Sequence, residues 1–377
     1  MTAAGLIFSN IHDQSIAELT NRRTIASVPF GCRYRLIDFA LSNMVNSDIT
    51  KVGIITHNNY QSLLDHIGTG KDWDLSRRSG GIKILPPFIT SFTGPEANKL
   101  YSTRLEALMG VTNFIKRCNE DYIVLSDCDA VCNINIADVL EQHERNDADI
   151  TIVSTKKSFD EHTYNSSMVC LESDENGRLT GVAKVKPTGG AGEVSTNLMV
   201  VKRTYLLNVL GEASSRDFSS FYMDVIAKKL DRDRYFVYRY EGYYNIIGSL
   251  EGYFAGNMEL LDPKTRKEIF EVPNFPVYTK VRNSAPTKYT SNAAVKNSYI
   301  ADGCVIDGTV ENSIIFRGVK VGKGAVIKNS IILQDTYIGS DVSLNCVITD
   351  KNVVINDGRV LSGHQTMPFF IGKGVRV

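Results

Sequence analysis

Asn297-Ser-Tyr-Ile300, Asn312-Ser-Ile-Ile315, Asn329-Ser-Ile-Ile332 and Asn345-Cys-Val-Ile348 are copies of one short motif, recurring at intervals of 15, 17 and 16 residues. Around them run aliphatic pairs six residues apart: Ile300 and Ile306, Val321 and Ile327, Ile338 and Leu344, Ile355 and Leu361. An aliphatic residue every six positions, with glycine or small polar residues between, predicts a left-handed parallel β-helix of hexapeptide repeats, with three sides to each coil of about 18 residues. An antiparallel sandwich would also turn regularly, but it has no reason to repeat one motif four times in register. A solenoid cannot bury its own ends, so the tail Pro368-Phe-Phe-Ile371 is expected to cap it or to meet another subunit.

Upstream the texture is different. Gly5-Leu-Ile-Phe8, Lys51-Val-Gly-Ile-Ile-Thr56, Asp121-Tyr-Ile-Val-Leu125 and Asp149-Ile-Thr-Ile-Val153 read as buried strands. Between them, Asp38–Val45 and Thr103–Met109 have helical spacing. Strand and helix in alternation, with near-continuous apolar strands, predict an α/β domain: a doubly wound, mostly parallel sheet covered on both faces. Ligands of such sheets sit beyond the carboxyl ends of the strands. The Gly- and Pro-rich stretch from Trp73 to Lys99, with Arg77 and Arg78, is expected to be a lid or contact loop. The domains are therefore expected at 1–261 and 291–377, joined by a Pro-containing linker over 262–290.

Lys plus Arg and Asp plus Glu each total 42 of the 377 residues, so no overall charge draws the chain to nucleic acid or an acidic membrane. No window offers the ~20 apolar residues of a membrane span. The first residues lack the basic and apolar regions of an export signal. Seven scattered cysteines suit a reducing compartment, and the spacing of Cys128 and Cys132 has no second pair to complete a zinc site. A cytoplasmic protein is expected.

The segment Phe30-Gly-Cys-Arg-Tyr-Arg-Leu-Ile-Asp-Phe-Ala-Leu-Ser-Asn43 resembles the F-G-G-x-[FY]-R-[IL]-I-D-F-x-L-S-N stretch of the ADP-glucose pyrophosphorylase (glucose-1-phosphate adenylyltransferase) family. Asp65-His-Ile-Gly-Thr-Gly-Lys-Asp-Trp-Asp-Leu75 and Ile247-Gly-Ser-Leu-Glu-Gly-Tyr-Phe254 are similar to it as well. The resemblance covers nearly the whole chain. It implies a nucleotidyltransferase-like domain and a role in bacterial glycogen synthesis, where ATP and glucose 1-phosphate give ADP-glucose and pyrophosphate.

That chemistry needs a glycine-rich turn whose backbone N–H groups approach the triphosphate, cations against developing charge, and carboxylates for Mg²⁺. Where active family members carry G-G-x-G-T-R-L, this chain reads Asn10-Ile-His-Asp-Gln-Ser-Ile16. Ile11 restricts the backbone, Asp13 would repel a phosphate, and Ser15 replaces the arginine. The lysine of R-A-K-P falls at Ile25 of Arg23-Thr-Ile-Ala26. One metal aspartate matches Asp129, with Asp127 two residues away as an alternative register. The other falls at Ile246, a hydrocarbon that cannot ligate a hard cation. In Val185-Lys-Pro187 the sugar-binding glutamate is gone and Lys186 is kept. Lys186 and Glu106 are carried over as substrate-like positions.

This set of losses resembles the non-catalytic, regulatory subunit that accompanies a catalytic one in some Gram-positive bacteria. The resemblance then implies a catalytic partner subunit, a heterotetramer, Mg²⁺ used by the partner with no cofactor on this chain, and a small anionic effector. Arg33 and Arg35 lie in the family region near which anionic effectors act; ion pairing with Asp38 or Glu18 is their other reading. His66 reads as a packed helix histidine, and Arg77 and Arg78 as a solvated pair. The alternative function is an active sugar-phosphate nucleotidyltransferase with substituted residues. A hexapeptide-repeat acyltransferase would need a solenoid histidine, and His364 follows the repeats.

Overall fold

The computed structural model describes residues 1–87, 101–159, 168–184 and 190–377. Lys186 and residues 88–99 of the expected contact loop lie outside them. The chain forms two compact units. One comprises Met1–Ile11, Phe39–Tyr60 and Gly68–Tyr244; the other comprises His12–Asp38, Gln61–Ile67 and Asn245–Val377.

The first unit is built on a nine-stranded sheet. In chain order its strands are β1 (Ala3–Phe8), β2 (Lys51–Ile55), β3 (Gly81–Leu85), β4 (Tyr122–Asp127), β5 (Ile150–Phe159), β6 (Val169–Ser173), β7 (Leu179–Lys184), β8 (Gly190–Lys202) and β9 (Tyr235–Arg239). Four of these lie in parallel as β4-β1-β2-β3; the apolar runs of β4, β1 and β2 are buried on both faces, and the edge strand β3 is only half-buried. The expected parallel core is present, but beyond β4 the sheet turns mixed: β8 runs antiparallel to both β4 and β5, and β9 returns parallel to β5. Gly5 is required by a close approach, because a Cβ there would stand 2.3 Å from Met44 Sδ on the covering helix Leu36–Asn46.

In the second unit the repeats wind into three parallel sheets of five strands each, the three sides of a left-handed β-helix. Ile306, Val321, Ile338 and Ile355 stack on one side, Val310, Ile327 and Leu344 on the next, and Ile315 and Ile332 on the third, all at 2% exposure or less. Asn297, Asn312 and Asn329 turn the corners in the left-handed conformation, at φ 43°, 46° and 45°. Asparagine tolerates that conformation better than most side chains. The fourth copy departs from the expected register by one residue. Lys328 pairs with Asn345, so Cys346 takes the left-handed corner at φ 51°. The side chain of Asn345 still joins the ladder, accepting from Asn329 Nδ2 at 2.9 Å.

The tail is part of the solenoid itself. Phe369–Ile371 is the last strand of the third side, paired with Val347–Thr349. Within the stretch expected as a linker, a helix spans Pro263–Phe270. Asp262 caps it by accepting from Lys264 N, and Pro263 suits its first turn, where a missing N–H costs nothing.

Two contacts tie the amino-terminal segments of this unit to later residues. Arg23 Nη2 donates to both carboxylate oxygens of Asp350, at 2.8 and 2.6 Å, with both side chains buried. The Tyr253 hydroxyl donates to Pro29 O at 2.7 Å.

Candidate functional site

In the first unit, the carboxyl ends of β1, β2 and β4 are where an α/β sheet presents its ligand. The turn after β1 is filled by side chains. Asn10 is 3% exposed, and its Oδ1 accepts from Ser9 Oγ, Thr56 Oγ1 and His57 N at 2.8, 2.8 and 3.0 Å. Its Nδ2 donates to Asn58 O, which stitches the ends of β1 and β2 together. Ile11 packs onto the apolar core. A backbone nest for phosphate is commonly built from residues alternating between right- and left-handed conformations, and no residue from 9 to 16 has a positive φ.

From His12 the chain belongs to the second unit, and Asp13–Ile16 form a short 3₁₀ helix. There Asp13 Oδ1 accepts from Ile25 N at 2.7 Å, and Ile25 is 1% exposed. Asn10, Asp13 and Ile25 thus make contacts within the fold.

At the end of β4, Asp127 is 5% and Asp129 2% exposed. Arg104 forks Asp127, with Nε donating to Oδ1 at 2.9 Å and Nη2 donating to Oδ2. Burial opposes the charge on Arg104, but the carboxylate holds the guanidinium well above its ordinary pKa. Asp127 therefore already has a cation. Magnesium demands oxygen ligands. At Asp127 it would compete with Arg104. Tyr222 and Tyr244 lie nearby with phenols pushed up by burial, so they serve as neutral hydrogen-bonding groups.

Glu106, expected as a substrate-like position, closes a capping box. Thr103 Oγ1 accepts from Glu106 N, and the Glu106 carboxylate accepts from Ser102 N and Thr103 N at 2.7 and 3.2 Å. Arg77 is exposed and pairs with Asp74 three residues earlier.

The second unit holds a cavity of about 130 Å³, and Arg33 and Arg35 both line it. Arg33 is exposed, its guanidinium 5.7 Å from the centre of the Tyr34 ring, which stacks on Phe270. Arg35 is buried, and its Nη1 donates to Ser62 Oγ at 3.0 Å and to Ser62 O. Burial lowers its pKa to about 10, Asp38 opposing and Arg23 and Arg282 adding to the shift. Neither arginine forms the ion pair weighed as its other reading. The Asp38 carboxylate instead accepts from Arg35 N at 2.9 Å and pairs with the buried His66 at 2.6 Å, which bears out a packed histidine.

Sequence reading missed the rest of the lining. Lys280 and Arg282 come from the stretch after the Pro263–Phe270 helix, and Arg317 and Lys351 from the solenoid. Asp335 is the one carboxylate among the lining residues. Beside the cavity, Arg23 Nη1 is buried without a hydrogen-bond partner. A concave site with this excess of N–H donors suits a small, multiply charged anion such as a phosphate ester.

Residues 15–262 match the family model described as nucleotidyl transferase, and residues 284–366 match a GlmU-like, C-terminal hexapeptide model. The chain is 33% identical to the glycogen biosynthesis protein GlgD of Bacillus subtilis over 373 residues, 98% of this chain and 96% of that protein. It is 33% identical to the glucose-1-phosphate adenylyltransferase of Geobacillus stearothermophilus, over 83% of this chain and 80% of that one. To the enzyme of the same name from Fervidobacterium nodosum it is 31% identical, over 96% and 86%.

Proposed function

This chain belongs to the glucose-1-phosphate adenylyltransferase family, and from that membership we propose that it serves glycogen biosynthesis as a catalytically deficient, regulatory subunit. The observation that carries the reading is the turn after β1, where Asn10 bridges to β2 and no residue from 9 to 16 is left-handed. A triphosphate has no backbone cradle there, and Arg104 occupies an aspartate at the end of β4. Adenylyl transfer from ATP to glucose 1-phosphate then falls to a competent homologous subunit, with its own Mg²⁺. Among the described residues no helix is long and apolar enough to cross a membrane, and the proposed compartment is the cytoplasm.

A regulatory subunit must bind its partner. Mixed at micromolar concentration with a glycine-loop homologue, the chain is expected to sediment as a new, heavier species, a heterotetramer, whose contacts bury at least ~1,000 Å². Two chains that sediment unchanged would remove the basis of this reading.

The cationic cavity is the proposed effector site, and Arg33, exposed like Arg282 and carried by the family motif, is the group that meets the anion. Allosteric coupling of this kind is typically worth ~1–3 kcal/mol. Arg33→Ala should therefore blunt stimulation of the mixed complex by about 5- to 150-fold in effector concentration and leave the unstimulated rate nearly unchanged. An activation curve that does not move would reject the assignment.

A further inference from the structure

We propose that the cationic cavity is a proton-linked anion site, in which Lys351 takes up a proton as a doubly charged anion enters. The proposal deepens the effector reading and rests on it.

The cavity gathers like charges that the fold leaves uncompensated. Arg33 and Arg35 enter from the amino-terminal turn, Lys280 and Arg282 from the stretch before the solenoid, and Lys351 from the solenoid. Among the described residues, no side-chain nitrogen of these five lies within 4.0 Å of a carboxylate oxygen; Asp38 and Asp350 meet Arg35 and Lys351 only at their backbone N–H groups. The nearby acids have other partners: Asp350 is held by Arg23, Asp302 by Arg317, and Asp38 by His66. Asp335 is left as the cavity's own carboxylate.

Crowded cations in a half-enclosed space are relieved when one of them loses its proton. Arginine cannot do so near neutral pH, but lysine can. Burial, then Arg35 and Arg23, push the Lys351 ammonium down to about 7, with Asp350 opposing and Arg282 adding to the shift. The other titratable neighbours do not change charge in the same window. His66 is held below its usual range by burial, although Asp38 opposes. The Tyr34 phenol and the Cys32 thiol are pushed up by burial.

The sign follows from linkage. An entering dianion favours the charged amine and raises its pKa, so binding takes up a proton wherever the free lysine is neutral. Affinity is then highest below the free pKa and falls as pH rises through it, by about tenfold per pH unit for one linked proton. Arg33 and Arg35 supply pH-independent attraction, and Lys351 makes the total pH-dependent.

The test uses the full chain and inorganic sulfate, which stays a dianion across the range and so contributes no titration of its own. Calorimetry at pH 6.5 to 9, in two buffers of different ionisation enthalpy, reads affinity and proton uptake together. The expected result is close to one proton taken up per sulfate at pH 8, with affinity falling about tenfold per unit above pH 7.5. Lys351→Arg should bind sulfate with a flat profile and no uptake; Lys351→Gln should bind weakly and also flat. Sulfate binding that depends on Arg33 but is flat from pH 7 to 9 in the unmodified chain overturns the proton link and leaves the effector reading standing. Uptake that persists in Lys351→Arg overturns it too. No Arg33-dependent sulfate binding at any pH overturns both.

Discussion

Incubated with ATP, glucose 1-phosphate and Mg²⁺, and free of any catalytic homologue, the chain is expected to release no detectable pyrophosphate. Magnitudes decide this. A metal clamp on a transferring phosphoryl group supplies several kcal/mol. A single lost donor to developing charge typically costs ~2.7–4 kcal/mol, and each ~1.36 kcal/mol is tenfold in rate. Ser15 and Ile25 replace two cationic side chains, Ile246 replaces a metal carboxylate, and Arg104 occupies Asp127. Even with non-additivity, the expected loss is about six orders of magnitude from a median turnover of ~10 per second.

Restoring one group should not help. Ile246→Asp would add a carboxylate, but the turn after β1 would still lack a left-handed residue, and Ile11 would still pack against the core. Turnover within tenfold of that median by the lone chain would favour an active transferase with substituted residues instead.

The departures from the family motif were legible in the sequence because they lie in residue types at positions that a continuous motif fixes. What the substituted residues do in the fold was less so. That Asn10 reaches across to Thr56 and His57 depends on which strands are neighbours, a property of the sheet order. Arg104 stands in plain view within Thr103-Arg-Leu-Glu106, yet its partner lies 23 residues away, at the end of a different element.

The solenoid was readable from its inward aliphatics, whose spacing is set by the width of each side. The slip at Asn345 was not, because a match by residue identity cannot tell which of two neighbours takes the left-handed corner. The cationic cavity was half legible. Arg33 and Arg35 fall in the recognisable motif. Lys280, Arg282, Arg317 and Lys351 look like ordinary solvated charges until the coils bring residues some 250 to 320 positions apart to one place.

The same crowding predicts an asymmetry in stability. Arg23 and Asp350 form a buried pair, with side-chain exposures of 3% and 4%. Removing one partner of such a pair typically costs ~3–5 kcal/mol, because the other is left as an uncompensated buried charge. Here the two halves are not equivalent. Asp350 faces Arg23 directly and also eases the charge on Lys351, whereas Arg23 disfavours the charge on both Arg35 and Lys351. Asp350→Ala should therefore cost the full ~3–5 kcal/mol, since it strands Arg23 and leaves the neighbouring cations less compensated. Arg23→Ala should cost less, because it strands one carboxylate but relieves two cations, and Lys351 can then hold its proton and answer Asp350. Thermal unfolding of the unit that contains the solenoid would show the difference, with a midpoint for Asp350→Ala about 10 °C below the unmodified chain and Arg23→Ala between the two. Because the relief depends on a protonated Lys351, Arg23→Ala should lose ground as pH rises from 7 to 9. Equal midpoints for the two variants, or Arg23→Ala the less stable at pH 7, would mean that the cations here are not in mutual strain.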